Sequence, residues 1–220
     1  MMQKMKTLLM ALFSVMAFPS AAQENLPPSA TWKDSARFYI RQLKDGAVVV
    51  RLHTRSMAIQ QMRTAGDNQY ATAIATVQRE ENRQIVEAFR TAFTFCKVYF
   101  FFADSTDALL QGKRTGFFVN DSLKIDPAIR LTENFFMVAD NGNPNLKQKT
   151  YDPTQPNMSY TEPSYVNETI FLMDQNLKPL KSPFPRYGKG KFGDGSAHNY
   201  WTGNVRSLNS KLHSYFDKYY

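Results

Sequence analysis

Cysteine is almost absent from this sequence, because Cys96 is the single cysteine among 220 residues. One cysteine cannot form an internal disulfide, and the lack of a second one excludes dithiol exchange within the chain. The neighbouring residues Phe95 and Val98 are apolar, so we interpret Cys96 as a small buried residue rather than as a nucleophile.

Long hydrophobic runs and metal-ligand motifs are also missing. The longest apolar run, Leu8 to Phe18, is shorter than the roughly 20 residues that a membrane-spanning helix needs. The chain has only 3 histidines, and no His-x-x-x-His spacing occurs. The sequence therefore predicts neither a bound metal nor a transmembrane anchor in the mature protein.

The N-terminus has the pattern of a secretory signal peptide. Lys4 and Lys6 precede the apolar run, the small residues Ser20 to Ala22 follow it, and no cysteine comes next for lipidation. We predict cleavage after residue 22 and a periplasmic or secreted protein, with 23–220 as a single α/β domain. An uncleaved membrane anchor is the alternative interpretation.

The charge of the chain is positive but moderate. The formal net charge is +8, and loss of Lys4 and Lys6 lowers it by two. A basic exported chain favours an anionic glycan, a lipid head group or another envelope protein as partner, although the same balance is typical of an ordinary soluble surface. Export argues against nucleic acid.

A long amphipathic helix from Asn68 to Phe93 is the central predicted element. Short β-branched or aromatic runs flank it at Ala47–His53 and Lys97–Ala103, which is typical of buried strands. Apolar residues recur along the helix at steps of three, four or seven to eight, and predict its buried stripe: Tyr70, Ile74, Val77, Ile85, Phe89 and Phe93. This strand, helix, strand order predicts parallel strands joined by a crossover.

The remaining predicted elements surround this unit. A helix from Thr31 to Leu43 has an apolar face that includes Trp32, and Ser56–Ala65 with Gly66 and Asp67 makes the crossover a helical hairpin. Two similar hairpins are predicted at Gly116–Lys124 and Ile170–Lys178. The sequence also predicts a strand at Phe135–Ala139, surface loops at 140–167 and 183–203, and a C-terminal helix from Asn204. Together these elements predict a mixed-sheet α/β fold.

The order of these elements resembles a thioredoxin-type layout, without its Cys-x-x-Cys motif. At the corresponding position the chain has His53-Thr54-Arg55-Ser56-Met57. Most of the chain resembles uncharacterised exported α/β proteins of Gram-negative bacteria. The segments that show this resemblance are the signal peptide, the strand end Arg51-Leu52-His53-Thr54, the strand from Phe95 to Phe101, and Pro183-Phe184-Pro185. The resemblance implies no known activity.

Polar residues follow the predicted strand ends. His53 and Arg55 follow the first strand, Asp104 and Ser105 follow the second, and Asp140 joins them if its strand runs parallel. Ligands of α/β proteins bind at this edge, and a histidine with two carboxylates can hold a divalent metal or transfer protons. We therefore name His53, Asp104 and Asp140 as candidate catalytic residues. The alternatives are that Asp104 caps a helix and that His53 is a half-buried structural histidine.

The second predicted loop is basic and aromatic. Its segment 188–193 matches Gly-x-Gly-x-x-Gly, but it follows a proline-rich stretch and no helix follows it, so we predict no nucleotide and no cofactor. Cations alternating with aromatic rings can bind sugars or phosphates. The candidate ligand-binding residues are Arg55, Arg186, Tyr187, Lys189, Lys191 and Trp201.

These observations leave two function classes open. The first is a non-enzymatic binding or structural module that uses the basic loop. The second is a metal-assisted or acid–base hydrolase at the strand edge. The sequence alone does not decide whether the protein is an enzyme.

Overall fold

The structure is a computed structural model that describes residues 31–142, 168–188 and 197–220. The helices are α1 (Trp32–Lys44), α2 (Ser56–Thr64), α3 (Asn68–Ala92), α4 (Thr106–Leu110) and α5 (Ala197–Asp217). The strands are β1 (Ala47–Leu52), β2 (Lys97–Phe102), β3 (Phe118–Val119), β4 (Phe136–Gly142) and β5 (Thr169–Met173). A 3-10 turn at Ala103–Ser105 connects β2 to α4.

The strands form a mixed sheet in the order β3-β2-β1-β4-β5. Strand β1 is central and runs parallel to both β2 and β4, whereas β3 and β5 pair antiparallel at the two ends. The predicted α/β class and the predicted parallel crossover are confirmed. The thioredoxin-type layout stays a prediction.

The crossover between β1 and β2 is a helical hairpin, as the sequence predicts. Gly66 lies just after α2 with φ of 87°, in the left-handed region that glycine adopts without strain. The Asp67 side chain then accepts a hydrogen bond from the backbone N–H of Tyr70 and caps α3. These two residues turn the chain so that α3 returns across the sheet.

Hydrophobic side chains pack on both faces of the sheet, since alternate residues of a strand point in opposite directions. On one face Val48, Val50 and Leu52 pack with residues of α1, α3 and α5. On the other face Ala47 and Val49 pack with residues of α4 and of the segment around β3. By the same alternation, Arg51 and Asp140 lie on this second face, next to its apolar residues.

The predicted buried stripes are partly wrong. Along α3, Ile85 and Phe89 are buried, but Tyr70 is 55% exposed and Val77 is 70% exposed. Gln78 and Asn82, which lie near the middle of α3, are buried instead. They face polar groups at the end of β1, where the Asn82 amide donates to the His53 carbonyl. Trp32 is also wrong as a buried residue of α1, since it lies at the first turn and is 60% exposed.

Both predicted loops are shorter than the sequence indicates. Asp140, Asn141 and Gly142 belong to β4, because they pair with Phe171, Ile170 and Thr169 of β5. Helix α5 begins at Ala197 rather than at Asn204, and burial of Trp201 in the core stabilises this first part. Of the two predicted loops, residues 183–188 are described, whereas 143–167 and 189–196 lie outside the described residues.

None of the helices in the described ranges combines the length and the apolar character that crossing a bilayer requires.

Candidate functional site

The carboxyl ends of β1 and β4 bring together the polar residues that follow them. The strands run parallel in a register that pairs Val50 with Ala139, so the next residues, Arg51 and Asp140, are neighbours. His53 follows Leu52, the last residue of β1. The sequence-based expectation that Asp140 joins His53 depended on a parallel β4, and β4 is parallel.

The Asp140 carboxylate is the centre of this group. Its Oδ2 atom lies 2.7 Å from Arg51 Nη2, and its Oδ1 atom lies 2.8 Å from His53 Nε2. Oδ1 also accepts a hydrogen bond of 2.9 Å from the backbone N–H of Asn141. The side chain of Asp140 is only 6% exposed, and burial of a charge is costly unless such partners compensate it. The contacts therefore hold the carboxylate in one orientation.

The contact with Asp140 determines which nitrogen of the His53 ring has the hydrogen. A carboxylate accepts hydrogen bonds, so Nε2 of the neutral ring has the hydrogen and Nδ1 has the lone pair. The side chain of His53 is 35% exposed. This arrangement suits a general base that is oriented by a carboxylate.

Helix α3 fixes the backbone at His53 from the other side of the sheet edge. The Asn82 side-chain amide donates a 2.7 Å hydrogen bond to the His53 carbonyl oxygen. The Gln78 amide in turn donates to Asn82 Oδ1 and, at 2.9 Å, to Glu81 Oε2. Both amides are buried, so their loss would leave polar groups unpaired.

Glu81 is a further acidic group at this edge, and its own pKa is perturbed. Burial raises the pKa of Glu81, and the negative charge of Glu168 raises it further. The Gln78 hydrogen bond and the electrostatic interactions with Arg55 and His53 act in the opposite direction. The pKa of Glu81 therefore depends on three charged or titratable neighbours at this edge: His53, Arg55 and Glu168.

The loop after His53 is held in an uncommon conformation. Arg55 has φ of 52° and ψ of 25°, which is the left-handed region, and it precedes the first residue of α2. Such a conformation costs roughly 1–2 kcal/mol for a residue other than glycine and recurs at functional sites. The side chain of Arg55 is exposed.

Asp104 supports this loop rather than capping a helix. Its Oδ1 atom accepts hydrogen bonds from Thr54 Oγ1 at 2.8 Å and from Ser56 Oγ at 3.0 Å, on either side of Arg55. Neither Asp104 nor Ser105 makes a side-chain cap for α4, so that alternative is wrong. Asp104 lies at the predicted edge, but the hydrogen bonds that it accepts come from hydroxyl groups and not from His53.

Two buried polar atoms near Asp140 have no hydrogen-bond partner among the described residues. They are Arg51 Nε, a donor, and Asn141 Oδ1, an acceptor. A buried polar group without a partner costs about 1–3 kcal/mol. Arg51 and Asn141 point to opposite faces of the sheet, so these two atoms are separate features of the strand edge.

The basic loop contributes less to this site than the sequence predicts. Arg186 Nη1 donates a 2.7 Å hydrogen bond to the Leu180 carbonyl, and Trp201 is only 4% exposed in the core. The Tyr187 ring lies beneath Arg186 and Lys211, whose charged groups are 5.8 and 5.0 Å from its centroid. Trp201 is thus not available for stacking, and Lys189 and Lys191 lie outside the described residues.

The first glycine of the Gly-x-Gly-x-x-Gly match has a packing explanation. The Gly188 N–H donates to the Ile170 carbonyl beside β5, and a Cβ atom at this position would collide with the backbone of Asn204 in α5. Glycine is required there by close approach of two backbones. Packing alone therefore accounts for this first glycine.

The described residues contain no group of three His, Cys, Asp or Glu side chains placed to hold a metal ion. Sequence reasoning found His53, Arg55 and Asp140 but missed Arg51, Gln78, Glu81, Asn82 and Asn141. A signal for Gln78 and Asn82 was present, because they follow Ile74 at four-residue steps on the stripe that continues to Ile85 and Phe89. Amides inside an apolar stripe indicate buried polar partners.

Comparison with protein-family models, with curated proteins and with solved structures gives no match to this chain.

Proposed function

We propose that this protein is a hydrolase whose acid–base site lies at the carboxyl edge of β1 and β4, with His53 as general base and carboxylic esters as the substrate class. The observation that carries the proposal is the 2.8 Å contact between His53 Nε2 and the buried Asp140 carboxylate. Asp140 is a positioning residue, because it acts by orienting the imidazole ring.

The reaction uses water as the nucleophile. A water molecule gives a proton to His53 Nδ1 while its oxygen forms a bond to the ester carbonyl carbon. The ester C–O bond then breaks, and the alcohol leaves with a proton from the imidazolium. Asp140 and Arg51 stay ion-paired throughout, so the positive charge that develops on His53 lies beside a fixed carboxylate.

Neighbouring groups support the same chemistry. The raised pKa of Glu81 keeps its proton to a higher pH than an ordinary glutamate, which suits a second proton donor at this edge. Arg55 offers an exposed positive charge for an anionic group of the substrate. An ester reaction also needs no bound metal, in keeping with the donor groups of the described residues.

The experiment measures hydrolysis of p-nitrophenyl acetate, butyrate and phosphate by the purified chain and its variants. We expect ester hydrolysis that falls by roughly 10²–10⁴ in His53→Gln and in Asp140→Asn. His213→Gln is the matched control, since His213 contacts Thr94 and Phe95 away from this edge. Equal rates for all four proteins, with circular dichroism showing that each is folded, would refute the proposal.

A non-enzymatic binding module is the second candidate. It is supported by the Tyr187 ring, which contacts the cations of Arg186 and Lys211. The next residue, Gly188, accepts a hydrogen bond from the Thr169 hydroxyl of β5. Replacing Lys189 and Lys191 by Ser tests it with heparin as the anionic glycan probe. This function predicts weaker binding at low salt with an unchanged melting temperature, and unaltered binding would exclude the loop as the ligand surface.

A further inference from the structure

A separate positively charged surface lies along α1, away from the strand edge. Lys33, Arg37 and Arg41 are spaced by four residues and therefore share one exposed face of the helix. From Lys33 to Lys44 this face is about 17 Å long. We call it the α1 surface; its cations are Lys33, Arg37, Arg41 and Lys44, with Lys181 and Lys218 beside them.

The cations of the α1 surface lie on aromatic rings. The Arg37 guanidinium is 4.5 Å from the centroid of Tyr219, and Lys44 Nζ is 5.5 Å from that of Phe216. Lys181 Nζ is 4.1 Å from the centroid of Trp32. These contacts hold the charged groups at the surface without neutralising them.

The α1 surface differs from the exposed face of α3 in its ion pairs. On α3, Arg83 pairs with Glu80 and Glu87, and Arg90 pairs with Asp121. Within the described ranges none of the α1-surface cations has a carboxylate within ion-pair distance. The acids in or next to α1 and α5 are Asp34, Asp45 and Asp217. Asp34 is bonded to Thr31 in the helix cap and interacts electrostatically with Arg37 beyond ion-pair distance. The surface therefore has an excess of positive charge.

The exposed aromatic residues indicate which kind of anion fits. Trp32 is 60% exposed and Tyr220 is 58% exposed, at the borders of the α1 surface. A sugar would stack on a free ring face, but cations already cover faces of Trp32 and Tyr219. Tryptophan and tyrosine beside lysine and arginine are instead typical of proteins that lie on a membrane interface.

We propose that the α1 surface docks on an anionic phospholipid bilayer, with its cations on the lipid phosphates and Trp32 in the interfacial layer. The proposal goes beyond the hydrolase function and does not depend on it. Positive charge attracts the chain to the negative surface, and the aromatic side chains add apolar contact at the depth of the head groups.

The two tryptophans allow a direct test with the purified chain. Trp201 is buried and should not respond, whereas Trp32 should shift its emission to shorter wavelength when it leaves water. The probe is a set of vesicles of phosphatidylcholine alone and with 30% phosphatidylglycerol. We expect binding and an emission shift only with the anionic vesicles, and loss of the shift but not of binding in Trp32→Phe.

Charge variants locate the surface. Arg37→Gln with Arg41→Gln should weaken vesicle binding by roughly 30-fold. The matched control, Arg63→Gln with Arg79→Gln, removes the same charge from exposed positions on α2 and α3 and should bind nearly as the unchanged chain does.

Equal weakening by both pairs would mean that net charge alone drives binding, which would overturn the proposal. Binding to heparin but not to anionic vesicles would also overturn it in favour of a glycan, and so would vesicle binding without any change in Trp32 emission.

Discussion

Cys96 shows at the scale of one residue how burial suppresses reactivity. The sequence predicts a buried Cys96, whereas the structure leaves it partly exposed beside the core just before β2. This partial burial raises the pKa of the thiol from 9.0 to about 12. The thiolate is the reactive form, so very little of the group can react near neutral pH. This supports the interpretation of Cys96 as a structural residue.

We expect iodoacetamide at pH 8 to modify Cys96 in the native chain at least about a hundred-fold more slowly than in the denatured chain. Mass spectrometry of timed samples measures both rates. Similar rates would show that the thiol is accessible and ionised, and would contradict its place beside the core.

Glu81 links the candidate site to the pH dependence of stability. Its pKa is raised, chiefly by burial and then by Glu168, so between the unfolded and the folded pKa the native chain binds more protons than the unfolded chain. Stability from this group is therefore complete below the unfolded pKa and is lost as pH rises through the folded pKa.

Glu81→Gln should therefore leave the melting temperature nearly unchanged at pH 4 and raise it at pH 8, because the variant buries no carboxylate there. Differential scanning calorimetry across this range measures the effect, with Glu87→Gln on the exposed part of α3 as the control. A Glu81→Gln chain that is less stable at pH 8 than at pH 4, relative to the unchanged chain, would contradict the pKa direction.

His53 and Asp140 could be predicted from the sequence because each follows a recognisable apolar strand. Their mutual contact could not, since it requires knowing that β4 is parallel to β1 and adjacent to it. The role of Arg51 could not be predicted for a related reason. In the sequence it is only a polar residue within an apolar strand, and its ion pair with Asp140 depends on the register between β1 and β4.

At the scale of elements, the two hairpins have the same turn, as their sequences predict. In the first, Asn120 N–H donates to the Lys124 carbonyl; in the second, Asp174 N–H donates to the Lys178 carbonyl. Leu123 and Leu177 adopt φ values of 59° and 60° at equivalent positions. The Oδ1 atom of Asn120 or Asp174 accepts hydrogen bonds from two backbone N–H groups of its turn.

Asp174→Ala should lower the free energy of unfolding by about 1–3 kcal/mol, because the N–H groups of Asn176 and Lys178 lose their acceptor. Asp174→Asn keeps an Oδ1 atom, as Asn120 does in the first turn, and should retain most of the stability. Urea denaturation compares the variants. Equal losses for both would show that charge, rather than the acceptor, stabilises the turn.

The sequence predicts the end of a helix or strand well where neighbouring residues mark it. It predicts the end poorly where contacts with residues far away in the chain determine it. Gly66 and Asp67 mark the hairpin between α2 and α3 in the sequence itself. The extension of β4 to Gly142 depends instead on pairing with Thr169 of β5, 27 positions later in the numbering. The early start of α5 likewise depends on the buried position of Trp201.

At the scale of the whole molecule, alternation of apolar residues sufficed to predict the α/β class but not the strand order. Placing β1 at the centre requires contacts between segments far apart in the chain, such as Ala47 with both Lys97 and Phe136. The candidate site exists because of that order, since it joins residues of β1, α3 and β4.

Export is a prediction about the whole chain. We expect the mature protein to begin near Gln23, because the small residues Ser20 to Ala22 have the pattern of a signal-peptide cleavage site. Intact mass of the protein recovered from the periplasm or the medium measures this, with Ala22→Leu as the variant that should impair processing. A recovered protein that retains Met1 to Ala22 would contradict the prediction.

The central claim is that Asp140 holds His53 with its Nδ1 lone pair free to accept a proton. Long-range ¹H–¹⁵N NMR of the histidine side chains at pH 8 tests this most directly, with His53→Gln to assign the signals. We expect His53 to be present as the Nε2–H tautomer and Asp140→Asn to lower the share of this tautomer. A dominant Nδ1–H tautomer in the unchanged chain, or a tautomer balance that Asp140→Asn does not alter, would contradict it.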